Sequence, residues 1–377
     1  MKREKFIDLK KIKKHLRLFK NELDDYFKLT QYQLNSIKLK LSNFTLFNND
    51  KEIGLPGKKN ISKDHPKIAF VVTECDDNSS AGDYFTAMEL GEALKTYGWE
   101  ITFLPRKGSG YWYAVDENVD VVISLLDSYD PRKIKTSNKS LIKIAWLRNW
   151  FDRWVSNPGF SEYNIIFANS NIACNYVKGE TNKECYLLPI ATNTSRFNNK
   201  ISPRKEYESD YCFTGSYWDD PRDIIEMLDP ESLKYNFKLY GKNWNKINKF
   251  KKYYQGFIDY SKIPEVYAST KIVIDDANRV TKDYGAVNSR VFDAIASNAL
   301  VITNGEKGAK ETFKGKLPYF TSKEELNNLI EYYLNNEKER IEKIKELNEF
   351  VLKNHTYHNR AYIIKKRLEN YRLSSKF

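Results

Sequence analysis

The sequence predicts an α/β protein of two doubly wound domains, each a parallel sheet flanked by helices. Three observations point there. Short, continuous apolar runs of the kind buried in parallel sheets recur from Lys67 onward, each followed by a polar loop and a helical stretch. The runs fall into two series, divided by the polar and charged stretch between Pro189 and Asp210. A chain of 377 residues with 41% hydrophobic content suffices for two ordinary cores, and not for three beside a long N-terminal arm.

The arm comes first. Leu9, Ile12, Leu16, Phe19, Leu23 and Tyr26 recur at alternating three- and four-residue spacing, with Lys10, Lys11, Lys13, Lys14 and Arg17 on the other faces, the pattern of an amphipathic helix. A weaker set, Leu34, Ile37, Leu41 and Phe44, follows, and Gly54-Leu-Pro-Gly57 reads as a linker. Three uses of the arm stay open: docking on the body, self-association with another subunit, or peripheral contact with an anionic membrane.

The first strand series runs Lys67 to Val72, Ile101 to Leu104, Val119 to Leu125, Leu141 to Trp146, Ile165 to Ala168 and Tyr186 to Leu188. The second runs Tyr211 to Thr214, Phe237 to Tyr240, Ile272 to Ile274 and Leu300 to Thr303, and Lys- and Glu-rich helices follow Ser322. The division expected is an arm and linker over 1–60, a first domain over 61–195, a second over 196–354 and a terminal helix over 355–377.

Lys plus Arg number 62 against 50 Asp plus Glu, a formal charge of +12, so acidic partners such as nucleotides, nucleic acid or an anionic membrane face are implied. Cys75, Cys174, Cys185 and Cys212 include no Cys-x-x-Cys pair, which disfavours a zinc ribbon or disulfide framework and fits small buried hydrophobes in a reducing cytosol. No stretch approaches the roughly 18 apolar residues of a membrane span, and the Lys-rich start lacks the apolar core of a signal peptide. A cytoplasmic protein is expected, with membrane contact confined to the inner face.

Ligands of open parallel sheets sit beyond the carboxyl ends of strands, so the loops there are where chemistry is sought. Asp283 to Asn304 reads as polar loop, short helix and buried strand, a join that makes an anion site. Asn288 and Ser289 at the helix mouth can offer donors to a diphosphate, Arg290 adds a positive fork, and Asp293 on the same face can accept both hydroxyls of a ribose. The alternative is an exposed Arg290–Asp293 ion pair behind an ordinary N-cap.

Thr73 to Asp83 is a polar loop feeding a helix. Gly82 permits close backbone approach, and Asp76, Asp77 or Asp83 could act as a general base or simply be solvated helix-start charges. Arg148 and Asn149 follow a buried strand amid Trp146, Trp150 and Trp154, which either form a sugar-stacking wall or fill space between domains. Gly215, Ser216, Tyr217 and Arg222 form a second anion cradle, Gly241 and Lys242 repeat it, and Phe257 and Ile258 beside Gly256 suit a planar base. His355 and His358 lack metal-helix spacing and read as surface helix residues. No Asp-x-Asp occurs, which leaves diphosphate charge to Arg, Lys and helix dipoles, with no metal or other cofactor expected.

Gly82 to Trp99, Trp146-Leu-Arg-Asn-Trp150 and Asn288-Ser-Arg-Val-Phe-Asp293 resemble the bacterial CgeB-like glycosyltransferases, part of the wider GT-B, GT4-like group. The resemblance covers about Lys67 to Leu334, and Pro189 to Phe197 resembles the group's inter-domain signature. It implies two facing Rossmann-like domains, a nucleotide-sugar donor held mainly by the second, an acceptor on the first, no required metal, and a final helix returning to the first domain. Asp293 matches the ribose carboxylate, and Ser289 and Arg290 match diphosphate-contacting positions. Where many members carry two glutamates eight positions apart, this chain has Gly285 and Asp293, which leaves the stereochemical outcome open.

The expected reaction is sugar transfer from a nucleotide diphosphate to a glycan or lipid-linked acceptor, with Arg290 stabilising the leaving group and Asp83 as the base if the transfer inverts. No nucleic-acid partner is expected. A sugar-nucleotide epimerase and a non-catalytic nucleotide- or nucleic-acid-binding protein are the alternatives.

Overall fold

The structure, a computed structural model, describes residues 65–76, 79–107 and 111–374. The N-terminal arm lies outside the described residues, as does Asp77.

The first domain is built on β1 (Lys67–Val72), β2 (Glu100–Pro105), β3 (Val121–Ser124), β4 (Ile142–Leu147), β5 (Ile165–Ala168) and β6 (Tyr186–Leu187). These pair in the order β2-β1-β3-β4-β5-β6, all parallel, with Ile68 opposite both Ile101 and Val121. Helices α1 (Gly82–Lys95), α2 (Phe151–Val155) and α3 (Asn171–Thr181) connect them. Ile68 to Val72 are fully buried because α1 and the last helix cover one face and the segment carrying Trp112, Tyr113 and Tyr129 covers the other, which is why the strand reads as an unbroken apolar run. The start of α3 is fixed by Ser170, whose Oγ accepts the Ala173 N–H at 3.0 Å.

The second domain carries β7 (Ser209–Thr214), β8 (Phe237–Tyr240), β9 (Thr270–Asp275) and β10 (Leu300–Thr303), parallel in the order β10-β9-β7-β8. Its helices are α4 (Asp223–Met227), α5 (Ile263–Ala268), α6 (Arg279–Lys282), α7 (Ser289–Ala296), α8 (Glu306–Glu311), α9 (Lys323–Asn335) and α10 (Glu337–Asn354). The last helix, α11 (Tyr357–Ser374), leaves this domain. Tyr357, Ala361, Ile364 and Leu368 enter the core that holds Ala87, Leu90 and Leu94 of α1.

His355 corrects the sequence reading. It is buried where α10 gives way to α11, against the rings of Phe292, Phe313 and Phe350, and its Nδ1 accepts from Arg360 Nη2 at 2.7 Å. Arg360 also donates to the Pro189 and Ile190 carbonyls, tying the crossing point to the inter-domain connection. Burial and the adjacent guanidinium push the His355 imidazole down to about 3. His358 is exposed, as expected.

In each sheet the strand order reverses once, between β1 and β3 and between β7 and β9. The loops beyond these points come from both domains and line one cleft.

Candidate active site

The cleft has two lobes, about 250 and 450 Å³, which share Gly82, Thr86, Ser289 and Arg290. Its floor in the second domain depends on two glycines. Gly215 (φ +153°) and Gly241 (φ +139°) occupy backbone conformations that side chains disfavour, and a Cβ on Gly241 would stand 2.1 Å from the Gly215 carbonyl oxygen. The two loops are stitched together: Gly215 N–H donates to the Tyr240 carbonyl, Lys242 N–H to Ser216 Oγ and Tyr217 N–H to the Lys242 carbonyl, at 2.9, 3.0 and 2.9 Å.

Helix α7 starts at the junction of the lobes. Asn288 does not cap it; its Nδ2 donates instead to Asp275 Oδ1 at 3.0 Å, and Ser289 lines both lobes. The orphan N–H groups and positive dipole end of the helix therefore face the cleft. Arg290 reaches across to β7 and β9. Its Nε donates to the Thr214 carbonyl and its Nη1 to Asp275 Oδ1, both at 2.6 Å. Arg222 is held in the same way by Asp276, with Nε donating to Oδ2 at 2.6 Å and Nη2 to the main-chain carbonyl at 2.8 Å. The ring of Phe213 lies under both guanidinium groups, 4.6 Å from Arg290 and 5.5 Å from Arg222.

Asp275 and Asp276 escaped the sequence reading. Each is 1% exposed and carries one arginine, while Thr303 Oγ1 and Asn304 Nδ2 supply further donors. Burial raises the Asp276 carboxyl above its ordinary value, with Arg222 opposing. The available signal was an Asp pair directly after an apolar strand, since carboxylates entering a core need cationic partners.

Asp293 is buried and accepts from Thr192 Oγ1 at 2.7 Å; it makes no ion pair with Arg290, so the exposed-pair alternative fails. Desolvation, with Glu89 adding to it, holds its carboxyl well above the usual range. It lines the smaller lobe with Gly215, Ser216, Gly241, Phe257 and Ile258. Tyr217 does not. It packs on Trp244 at 5.4 Å between ring centres, and its neighbour Trp218, 58% exposed, lines the lobe instead. Lys242 spans the cleft, donating to Ser80 Oγ at 2.9 Å with its ammonium 4.7 Å over Phe257. Beside it Phe85 and Tyr260 stack across the domains at 4.1 Å and 10°, and Tyr260 donates to Glu89 at 3.0 Å.

The larger lobe takes Asp83, Arg148, Asn149 and Trp150 from the first domain and Arg222, Asn288 and Arg290 from the second. Asp83 Oδ2 accepts the Thr73 N–H at 2.5 Å, closing the loop between β1 and α1. Arg148 Nη1 donates to Thr86 Oγ1 at 3.1 Å, and burial lowers the guanidinium's affinity for its proton, with Asp83 opposing. The tryptophan wall is a correction. Trp146 and Trp154 are fully buried core residues, and Trp146 Nε1 donates to the Leu188 carbonyl at 2.8 Å. Trp150 alone lines the lobe, in left-handed backbone at φ +50°, and the cation stacked on it at 3.4 Å is Arg153 rather than Arg148.

An orphan helix start, an anchored arginine and two glycine turns meeting at one junction can grip a diphosphate, and a buried carboxylate beside it can accept sugar hydroxyls. Residues 218–366 match a family model described as glycosyl transferase-like. Among solved structures, a T4 phage BGT mutant in complex with UDP-glucose superposes with a TM-score of 0.55 at 15% identity, covering 80% of this chain and 99% of that one. Anabaena HepE in complex with UDP-glucose gives 0.58 at 8%, covering 81% and 100%. The chain has the GT-B fold. An alpha-glucosyltransferase bound to UDP-glucose and DNA containing an abasic site shares that GT-B fold at a TM-score of 0.57 and 9% identity, covering 81% and 99%. No curated protein sequence matches the chain. The structural likenesses extend over both domains, whereas the family match is confined to residues 218–366.

Proposed function

We propose that the protein transfers a sugar from a uridine diphosphate sugar to a hydroxyl of a glycan or lipid-linked acceptor. The observation that carries this reading is the start of α7, with Ser289 and the anchored Arg290 at the junction of the two lobes. In this reading the diphosphate lies there, with Arg222 and Lys242 near and Gly215, Ser216 and Gly241 giving it backbone access. The base lies toward Phe257 and Ile258, and Asp293 accepts the ribose hydroxyls. Gly82, Arg148 and Asn149 border the transferred sugar from the first domain. Arginines and the helix dipole neutralise the developing charge, so a metal-independent hexosyl- or deoxyhexosyltransferase is the form proposed. UDP-glucose bound in two of the structural neighbours supports the donor class.

The CgeB-like motifs support a place in bacterial cell-surface polysaccharide or glycoconjugate synthesis. The enzyme would work in the cytoplasm, with the arm reaching the inner face of the membrane or a second subunit. One observation favours a second acceptor: the net charge of +12, taken with a DNA-bound neighbour of the same fold, suits a nucleic acid carrying a free hydroxyl.

A thermal-shift panel of nucleotide sugars with EDTA present tests the donor, since a ligand at 100 times its Kd stabilises by about 2.7 kcal/mol. Stabilisation by a UDP-sugar, followed by its transfer to an added glycan, is expected. Stabilisation by polynucleotide with no response to any nucleotide sugar would reject the reading.

A further inference from the structure

The larger lobe holds two carboxylates from the first domain, Asp83 and Asp127. Asp83 has one oxygen occupied by the Thr73 N–H, where it closes a loop, and Arg148 stands beside it as a compensating charge. Asp127 is placed differently. It lies just beyond β3, at the point where the strand order of the first sheet reverses, which is the crevice where open α/β sheets hold their ligands. Its main chain is held by Asn157, whose Nδ2 donates to the Asp127 carbonyl at 2.9 Å. Its carboxylate makes no hydrogen bond to another residue and no ion pair among the described residues.

A half-buried carboxylate bonded only to its own main chain and bordering a cleft is poised to take a proton. Burial raises its proton affinity, Arg153 of α2 and Arg106 beyond β2 oppose this, and Asp152 adds to it. The other charged groups of the lobe are Asp83, Arg148, Arg222, Asp276 and Arg290. Ser289 and Arg290 form the opposite, second-domain wall. An in-line displacement needs the nucleophile on the side of the sugar carbon away from the leaving diphosphate, and Asp127 belongs to the first-domain wall of the lobe whereas Ser289 and Arg290 belong to the second-domain wall.

Resting on the transferase reading, we propose that Asp127, rather than Asp83, is the base that deprotonates the attacking hydroxyl, so that transfer inverts configuration. The acceptor oxygen forms the new bond to the anomeric carbon, the bond from that carbon to the phosphate oxygen breaks, and its electron pair leaves with the diphosphate. The hydroxyl proton passes to the Asp127 carboxylate.

UDP-α-glucose with water as acceptor tests this. UDP release gives the rate, titration with UDP gives donor-site affinity, and the anomer of glucose formed first is read by NMR. Asp127→Asn is expected to lose at least about 100-fold in rate and the acidic limb of the kcat/KM profile, with UDP affinity and thermal midpoint unchanged. The wild type should release β-glucose first. An Asp127→Asn enzyme keeping more than a third of the wild-type rate, or α-glucose as first product, would overturn the assignment. A wild type that fails to bind UDP would instead bring down the donor reading, and the proposal with it.

Discussion

Arg290 Nη1 stands 2.6 Å from Oδ1 of Asp275, a carboxylate only 1% exposed. The cation proposed to face the diphosphate is therefore built on a buried anion. Such a mounting fixes the fork's orientation, because Asn288 and Thr303 hold the same carboxylate. It also gives Arg290 a structural duty separate from binding.

Arg290→Ala strands Asp275 in the core. A loss of about 3–5 kcal/mol in stability is expected in urea denaturation, because an uncompensated buried charge remains. UDP affinity should fall at least roughly tenfold, the value of a charge-assisted hydrogen bond. Arg290→Ala/Asp275→Asn should recover part of the stability and none of the affinity. Equal stability of the single and double variants would contradict the pairing.

Gly241→Ala introduces a Cβ 2.1 Å from the Gly215 carbonyl oxygen at φ +139°. Both the contact and the dihedral are unfavourable, so at least about 2 kcal/mol of destabilisation is expected, with loss of UDP binding. Gly82→Ala is the control, since nothing lies within 4 Å of its added Cβ. Comparable denaturation midpoints for the two variants would refute the argument.

Asp293 has its carboxyl raised well above the ordinary value by burial. Between the unfolded value, about 3.9, and the folded one, the native protein binds the extra proton, so stability falls as pH rises through that window. Asp293→Asn removes this loss while Thr192 keeps an acceptor. The unliganded variant is expected to be more stable than wild type at pH 8, with the gap closing toward pH 4, and to bind UDP-sugar more weakly. Denaturation at both pH values measures it, and a gap independent of pH counts against the carboxylate.

His355 titrates with the opposite slope. Held down to about 3 in the folded state against about 6.5 unfolded, it stays neutral while the unfolded chain takes up a proton, so it costs stability as pH falls from 6.5 toward 3. His355→Phe keeps the ring packing and should flatten that limb relative to wild type. Parallel stability profiles between pH 4 and 7 would reject the explanation.

Phe85 and Tyr260 hold the two domains together beside the smaller lobe. A double-mutant cycle with Phe85→Leu and Tyr260→Leu is expected to give a coupling of about 1 kcal/mol in stability. Each single variant should also raise KM for the donor. A coupling near zero would mean that the stack does not hold the cleft closed.

The strands were legible in the chain because central parallel strands, buried on both faces, must be short and mostly apolar; the ten strands among the described residues lie at such runs, although the edge strands β2 and β6 are only partly buried. The glycine turns at Gly215 and Gly241 and the polar entry to α7 were legible for a similar local reason: a backbone approaching a ligand or another loop excludes a side chain. What folding alone decided was partnership across distance. Arg290 meets Asp275 and Arg222 meets Asp276 because β7 and β9 are neighbours in the sheet, a pairing invisible to spacing along the sequence. The same holds for Trp146 and Trp154, which fill the core although their cluster resembled a sugar wall, and for His355, buried by a helix crossing between domains. Local pattern encodes which backbone each segment adopts; burial and electrostatics, which set the chemistry of a side chain, exist only once distant segments touch.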